Sequence, residues 1–217
     1  MLEILTEHFD AFSSGLWVTT RLVVLSLLIA LVLGTIVAAL RVAPSPWLQR
    51  LGGVYVEVFR NVPLLVLLFI SFAGLRRSGV DISAWTAGIA SLGIYTSAYI
   101  AEALRSGVFS VSRGQVEASL SLGFSEAQTL RRIVLPQAFR TVIAPLGSIT
   151  IAMIKNSAII GASLLALGDL LKEARIVNAN TFQTTEAFFW AAVGYLLLTL
   201  SATVLFRTLE ARYAIRR

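Results

Sequence analysis

Residues 16–40 read LWVTTRLVVLSLLIALVLGTIVAAL and contain a single charged side chain, Arg21. Roughly 20 mostly apolar residues in a helix are enough to cross a bilayer, so this stretch indicates a membrane span. The whole chain of 217 residues agrees, because 57% of its residues are hydrophobic and only 14% are charged. Soluble domains carry about 25% charged residues. The sequence therefore predicts an all-α integral membrane protein.

Four further apolar stretches follow, at about residues 54–73, 86–104, 142–167 and 187–206. The stretch 86–104 is the most polar, so we expect its polar side to face protein or a water-filled path. Together with 16–40, these stretches predict five spans in a single membrane domain, residues 1–217. Before them, residues 1–15 carry apolar side chains at helical spacing, which predicts a helix lying in the outer interface.

The basic residues orient these spans, because cytoplasmic loops of membrane proteins are enriched in Lys and Arg. With the N-terminus outside, the cytoplasmic segments contain Arg41, Arg50, Arg105, Arg113, Arg131, Arg132, Arg140, Arg207, Arg212, Arg216 and Arg217. The outer loops then contain only Arg76, Arg77, Lys172 and Arg175. This bias predicts an N-terminus outside and a C-terminus inside the cell.

The longest cytoplasmic connection, residues 105–139, has a specific local chemistry. Gly123 tolerates backbone angles that other residues avoid and predicts a break between two helical pieces. Ser125, with Gln128 three residues later, predicts a capping box at the start of the second piece. Pro136 is expected to end that piece. A short capped helix of this kind could enter a groove on a partner, or it could be an amphipathic connector on the inner leaflet.

The order of residues in this connection resembles the EAA motif of ABC importer permeases. Glu117-Ala118-Ser119, Gly123 and Ile133-x-Leu135-Pro136 have the spacing of that motif, and Ser119 in place of alanine is the one departure. The resemblance implies that the segment is a coupling helix that docks on a separate ATPase. The residues that it implies for this docking are Glu117, Ala118, Gly123, Leu130, Ile133, Leu135 and Pro136.

Other segments of the chain resemble the polar amino-acid uptake subfamily of these permeases, and within it the glutamate-type permeases most of all. Residues 55–65, YVEVFRNVPLL, and residues 155–157, KNS, are similar to segments of that subfamily. This implies a type I importer permease in the bacterial cytoplasmic (inner) membrane. The implied partners are two ATPase subunits, a second permease, identical or homologous, and an extracytoplasmic solute-binding protein.

No cofactor or metal is expected in this chain, and no nucleic-acid partner. The ATP and Mg²⁺ would belong to the ATPase, because the sequence has no Gly-x-x-x-x-Gly-Lys-Ser/Thr pattern. The chain also has no cysteine, and its single histidine, His8, lies before the first span. An intramembrane hydrolase would therefore lack its usual base, and no catalytic residue is predicted.

The predicted substrate path centres on Lys155, because a cation inside a span is a functional candidate by default. By resemblance to the family, the path is formed by Lys155, Asn156, Ser157, Tyr99 and Glu102. Asn156 stands where the family commonly has aspartate, so the site is neutral to positive and suits an acidic or neutral amino acid. The alternative is that Lys155 extends to the interface or pairs with a carboxylate such as that of Glu102.

The sequence thus predicts the permease subunit of an ATP-driven amino-acid importer, and not an enzyme. The alternative function is that of an autonomous secondary transporter or channel. Such a protein would need acidic groups for ion coupling, and Glu102 lies near the cytoplasmic end of its span. Five spans without an internal repeat also fit secondary transporters poorly.

Overall fold

The computed structural model describes residues 1–163 and 167–213, and these residues form helices and connecting turns without a strand. The helices are α1 Leu2–Glu7, α2 Phe9–Val42, α3 Pro46–Asn61, α4 Leu64–Phe69, α5 Leu75–Arg77, α6 Ala84–Phe109, α7 Arg113–Ser121, α8 Glu126–Thr129, α9 Leu135–Ser163, α10 Leu170–Thr181 and α11 Thr184–Tyr213. Two π-helical turns, Ile70–Gly74 and Leu130–Val134, lie between α4 and α5 and between α8 and α9. The predicted all-α class is confirmed.

Among the described residues, three helical segments are long and apolar enough to cross a membrane: Phe9–Val42, Glu126–Ser163 and Thr184–Tyr213. A fourth candidate is the pair Pro46–Asn61 and Leu64–Arg77, whose two parts are bent by 100°. Helix α6 contains the predicted span 86–104 but is not among these candidates, since its serines, threonines and tyrosines lower its hydropathy. The number of five spans and their orientation stay predictions.

Helix α6 lies at the centre of the packing, and its most extensive partner is α2. A Cβ atom added at Gly34 of α2 would lie 2.9 Å from the Ser97 carbonyl oxygen of α6. One added at Gly93 of α6 would lie 3.2 Å from the Ser26 carbonyl oxygen of α2. Glycines on both helices therefore let the two backbones approach closely, as small residues do in membrane helix pairs.

The segment predicted as the second span is not one continuous helix. Helix α3 ends at Asn61, Val62 is extended at φ −88° and ψ 128°, and α4 begins after Pro63. Proline disfavours helical angles at the residue before it and lacks a backbone donor, so the chain bends by 100° here. The predicted second span, 54–73, therefore contains a bend at Val62 and Pro63, and its crossing of the membrane stays a prediction.

The predicted interfacial segment 1–15 is divided at His8. Only Leu2–Glu7 forms the separate helix α1, and the residues from Phe9 onward belong to α2. A Cβ atom added at Gly15 would lie 2.9 Å from the Cα atom of Leu170, so this part of α2 is fixed against α10. Trp190 of α11 also donates a hydrogen bond of 2.8 Å to the Met1 carbonyl oxygen.

Pro136 does not end the helix that begins after Ser125, and that prediction is wrong. The helix continues from Glu126 to Ser163. In the π-helical turn Leu130–Val134, the Leu135 N–H donates to the Leu130 carbonyl oxygen, five residues back. The backbone hydrogen bonds therefore change from the i→i−4 to the i→i−5 pattern directly before Pro136, which has no N–H to donate. The predicted short helix is thus the first part of a 38-residue helix.

Candidate functional site

The turn between α7 and α8 has the local structure that the motif predicts. Gly123 has φ +84°, and a Cβ atom added there would meet nothing within 4 Å. The Gly123 N–H donates to the Leu120 carbonyl oxygen at 2.9 Å, and the Phe124 N–H donates to that of Ser119 at 3.1 Å. The capping box is confirmed: the Gln128 N–H donates to Ser125 Oγ at 3.3 Å, and the Ser125 N–H donates to Gln128 Oε1 at 2.9 Å.

Ser119, the one departure from the motif, joins the two helices. Its side chain is buried and donates to the Val116 carbonyl oxygen at 2.8 Å. Its Oγ atom also lies 2.8 Å from Thr129 Oγ1, across the turn. Alanine at this position could not form the bond to Thr129. Ser119 therefore adds a side-chain hydrogen bond between α7 and α8 that we did not predict.

The predicted docking residues differ in where they lie. Glu117, Ala118 and Gly123 are exposed at the α7–α8 turn, next to Leu122, which is 80% exposed. Leu130 and Leu135 line an apolar cavity of about 480 Å³, and residues of α2 and α6 form other parts of its wall. Ile133 is half-buried and Pro136 is exposed, both on the continuing helix. We call the exposed turn, residues 113–128, the tip.

A polar surface runs along α6 and faces α9. Tyr95 Oη and Tyr99 Oη lie 3.0 Å apart, one helical turn from each other. Both tyrosines and Asn156 of α9 line a cavity of about 220 Å³. Two larger cavities, of about 340 and 510 Å³, continue this surface, and Tyr99 and Glu102 line both.

Of the predicted substrate-path residues, Tyr99, Asn156 and Glu102 thus lie along this surface. Lys155 is exposed and is not among the lining residues of the three cavities. Ser157 is fully buried, and its Oγ donates to the Ile154 carbonyl oxygen at 2.7 Å. The role of each of these residues in transport stays a prediction.

Glu102 forms two ion pairs within the chain. Its Oε2 atom pairs with Arg41 at the end of α2, and its Oε1 atom accepts a hydrogen bond of 2.6 Å from Arg105. The side chain of Glu102 is 25% exposed, that of Arg41 18% and that of Arg105 31%. The suggested alternative pair of Lys155 with Glu102 is not among the ion pairs of the described residues.

Arg60 lies near the end of α3 and forms no ion pair among the described residues. Its guanidinium carbon lies 5.3 Å from the centroid of the Tyr99 ring, in a cation–π contact. The general rule for cations inside spans could have found it, since Arg60 lies within the predicted span 54–73.

Asp169 is a buried carboxylate that we did not predict from the sequence. It caps α10 by accepting from the backbone N–H groups of Leu171 and Lys172, each at 3.3 Å. Tyr195 Oη of α11 donates to Asp169 Oδ2 at 3.5 Å. Burial raises the pKa of Asp169 above its usual value. A Cβ atom added at Gly161 of α9 would overlap this carboxylate, so only glycine fits there.

No group of three or more His, Cys, Asp or Glu side chains within residues 1–163 and 167–213 could hold a metal ion. The bundle of long apolar helices, the polar-lined surface and the charged tip together define a membrane transport component. The chain belongs to the family described as binding-protein-dependent transport system inner membrane component, which it matches over residues 30–215. The members of this family are components of transport systems and not enzymes.

Similar proteins agree over almost the whole chain. The chain is 39% identical to the probable glutamine ABC transporter permease protein GlnM of Bacillus subtilis, over 97% of each sequence. It is 40% identical to the glutamate transport system permease protein GluC of Corynebacterium efficiens, over 93% of each. A crystal structure of an amino acid ABC transporter with histidines has a chain with a TM-score of 0.90 and 34% identity, over 96% of both chains. The resemblance to ABC importer permeases is confirmed.

Proposed function

We propose that this chain is the transmembrane subunit of an ATP-driven importer that moves a polar amino acid into the cell. The observation that carries this proposal is the TM-score of 0.90 at 34% identity to a chain of an amino acid ABC transporter. The chain would cross the membrane five times with its N-terminus outside. A second permease, identical or homologous, would enclose the path together with it, and a solute-binding protein would deliver the amino acid.

The tip would be the part that docks on the ATPase. Its capping box and its turn at Gly123 hold a defined shape, and Leu122 exposes an apolar side chain that a groove could cover. The helix that starts at the tip continues to Ser163 and carries Asn156. A movement of the tip, driven by ATP binding to the partner, would therefore reach the polar surface through one helix.

The cargo would be a neutral or acidic amino acid. Among the described residues, none of those that line the cavity around Asn156 carries a carboxylate. The nearby carboxylate of Glu102 is already paired with two arginines. A cationic side chain would therefore find no uncommitted negative charge in that cavity. The relatives described above are named for glutamine and glutamate, which agrees with this choice.

The experiment is reconstitution of this permease in liposomes with its ATPase, its second permease if it has one, and its binding protein. Uptake of glutamine, glutamate, cystine, histidine and arginine is measured with and without ATP. Uptake without the ATPase would contradict the proposal and favour a secondary transporter. A strong preference for arginine would contradict the choice of cargo but not the transport function.

The docking role is tested in the same assay with Gly123→Pro and Glu117→Lys. Proline cannot adopt the φ of +84° at Gly123, and lysine reverses an exposed charge at the tip. Both variants should abolish uptake and substrate-stimulated ATP hydrolysis while inserting normally into the membrane. Gly114→Ala is the matched control, because Gly114 is also exposed on the tip with open space around it. Normal uptake by Gly123→Pro would contradict the docking role.

A further inference from the structure

Among the residues that the structure describes, Arg60 is a cation without an acidic partner within ion-pair distance. The two other arginines near Glu102, Arg41 and Arg105, are both paired with the Glu102 carboxylate. Arg60 instead contacts the face of the Tyr99 ring, and Tyr99 Oη lies 3.5 Å from the Arg60 carbonyl oxygen. No carboxylate within the part of the chain that the structure describes lies within ion-pair distance of Arg60. Its charge is therefore available to a ligand.

The position of Arg60 gives that ligand room. Arg60, Tyr99 and Glu102 are the three residues that line both the 340 Å³ and the 510 Å³ cavity. Small-molecule sites have volumes of about 300–1,000 Å³, so either cavity can accept an amino acid. The bend at Pro63 places the end of α3, and with it Arg60, against Tyr99 of α6. The guanidinium thus lies at the wall between two cavities of the polar surface.

The chemistry of arginine selects the kind of group that it would bind. Guanidinium groups bind carboxylates through two parallel hydrogen bonds, and such charge-assisted bonds are stronger than neutral ones. The Tyr99 ring lies beside the guanidinium, with its centroid 5.3 Å from the guanidinium carbon, and a cation–π contact of this kind uses none of the N–H donors in a hydrogen bond. Every amino acid carries an α-carboxylate, whatever its side chain. Arg60 would therefore bind the α-carboxylate, which all cargo amino acids have in common.

We propose that Arg60 is the group that binds the α-carboxylate of the transported amino acid, and that the Tyr99 ring positions its guanidinium. This inference rests on the proposed function and names one contact within it. Asn156, which lies in the neighbouring cavity with Tyr99, would then meet the amino-acid side chain. Recognition of the common carboxylate and of the variable side chain would be divided between α3 and α9.

The test is competition binding to the complete permease–ATPase assembly in detergent, without the binding protein. The radiolabelled probe is the amino acid that the wild-type assembly takes up best, and the competitors are that amino acid and its α-carboxamide. In the wild type, the carboxamide should bind about 10- to 100-fold more weakly, because it loses a charge-assisted pair. Arg60→Gln should weaken binding of the amino acid by a similar factor and remove the difference between the two competitors.

Three further variants separate recognition from folding. Arg60→Lys keeps the charge but not the two parallel donors, so part of the discrimination should remain. Tyr99→Phe keeps the ring and should keep the discrimination, whereas Tyr99→Leu should reduce it. Arg21→Gln is the matched control, since Arg21 also contacts an aromatic ring, that of Trp85, at 5.5 Å, but lines none of the three cavities.

The outcomes are distinct. The proposal is overturned if the wild type binds amino acid and carboxamide equally, or if Arg60→Gln leaves the difference unchanged. It is also overturned if Arg60→Gln weakens both competitors equally while the ATPase still co-purifies, since that result indicates a structural role or a partner carboxylate. If the wild-type assembly takes up no amino acid at all, the proposed function itself fails, which is a separate result.

Discussion

Replacing Glu102 by glutamine should destabilise the contact between α2 and α6. The substitution keeps the size of the side chain but removes the charge that Arg41 and Arg105 share. Breaking a fully buried ion pair by removing one partner costs about 3–5 kcal/mol, because an unpaired charge stays behind. The three side chains here are 18–31% exposed, so solvent reduces the cost. We therefore expect a loss of about 2–4 kcal/mol in the free energy of unfolding.

Arg41→Gln alone should lower the free energy of unfolding by less, about 1–2 kcal/mol, because Arg105 still neutralises Glu102. The double variant should cost less than the sum of the two single ones, since Arg41 is no longer left unpaired. The free energies are measured by denaturant titration in mixed micelles, with Asp81→Asn as the control. Asp81 pairs with Arg76 at the surface, where both side chains are more than half exposed, and its loss should cost under about 1 kcal/mol.

Two results would refute this reasoning. If the costs of Glu102→Gln and Arg41→Gln are simply additive, the two side chains do not act on each other. If Glu102→Gln costs no more than Asp81→Asn, the partial burial of the carboxylate has no energetic consequence.

Gly123→Ala should lower the unfolding free energy of the permease by about 1 kcal/mol through left-handed strain alone, while Gly114→Ala should not; equal effects in thermal denaturation would contradict this. Burial raises the pKa of Asp169 above its usual 3.8, so the folded state holds the proton more tightly and stability should fall as pH rises through that raised pKa. Asp169→Asn should remove this pH dependence of the melting temperature; parallel curves for the two proteins would contradict it. Asn156→Asp should increase uptake of arginine relative to glutamine in the reconstituted assembly, and an unchanged ratio would show that Asn156 does not select the cargo.

The local features were predicted best because their causes lie within a few residues. The turn at Gly123 depends on one residue's freedom at positive φ, and the capping box depends on Ser125 and Gln128 alone. Both are visible as a short pattern. The most apolar spans were equally visible, because hydropathy is a property of each segment by itself.

The errors arose where a local rule competes with the surrounding helix. Proline usually ends a helix, and at Pro63 the chain bends as this rule requires, a bend that we did not predict within the span 54–73. At Pro136 the same rule fails, because a π-helical turn removes the need for the missing donor. Whether a proline bends the chain or is accommodated depends on hydrogen bonds one turn away, which residue type alone does not reveal.

The pairings across the bundle were not accessible to sequence reasoning. Arg41 and Glu102 are 61 residues apart, and the Arg60 carbonyl and Tyr99 are 39 apart. A single sequence shows that each residue is polar within an apolar stretch, but not which of them meet. For the same reason, the sequence indicated Lys155 as the intramembrane cation of interest, whereas Arg60 is the one beside Tyr99 and Glu102.

The helix from Glu126 to Ser163 has a consequence for where the tip can be. Its 38 residues have a length of about 57 Å at 1.5 Å per residue, against a hydrocarbon layer of about 30 Å. Even at a tilt of about 40°, near the upper limit for membrane helices, its projection on the bilayer normal is about 44 Å. Roughly a third of the helix or more must then stand beyond the lipid tails. The end with Arg131 and Arg132 is the charged one, so a probe attached at Glu126 should report water even while Asn156 remains at membrane depth.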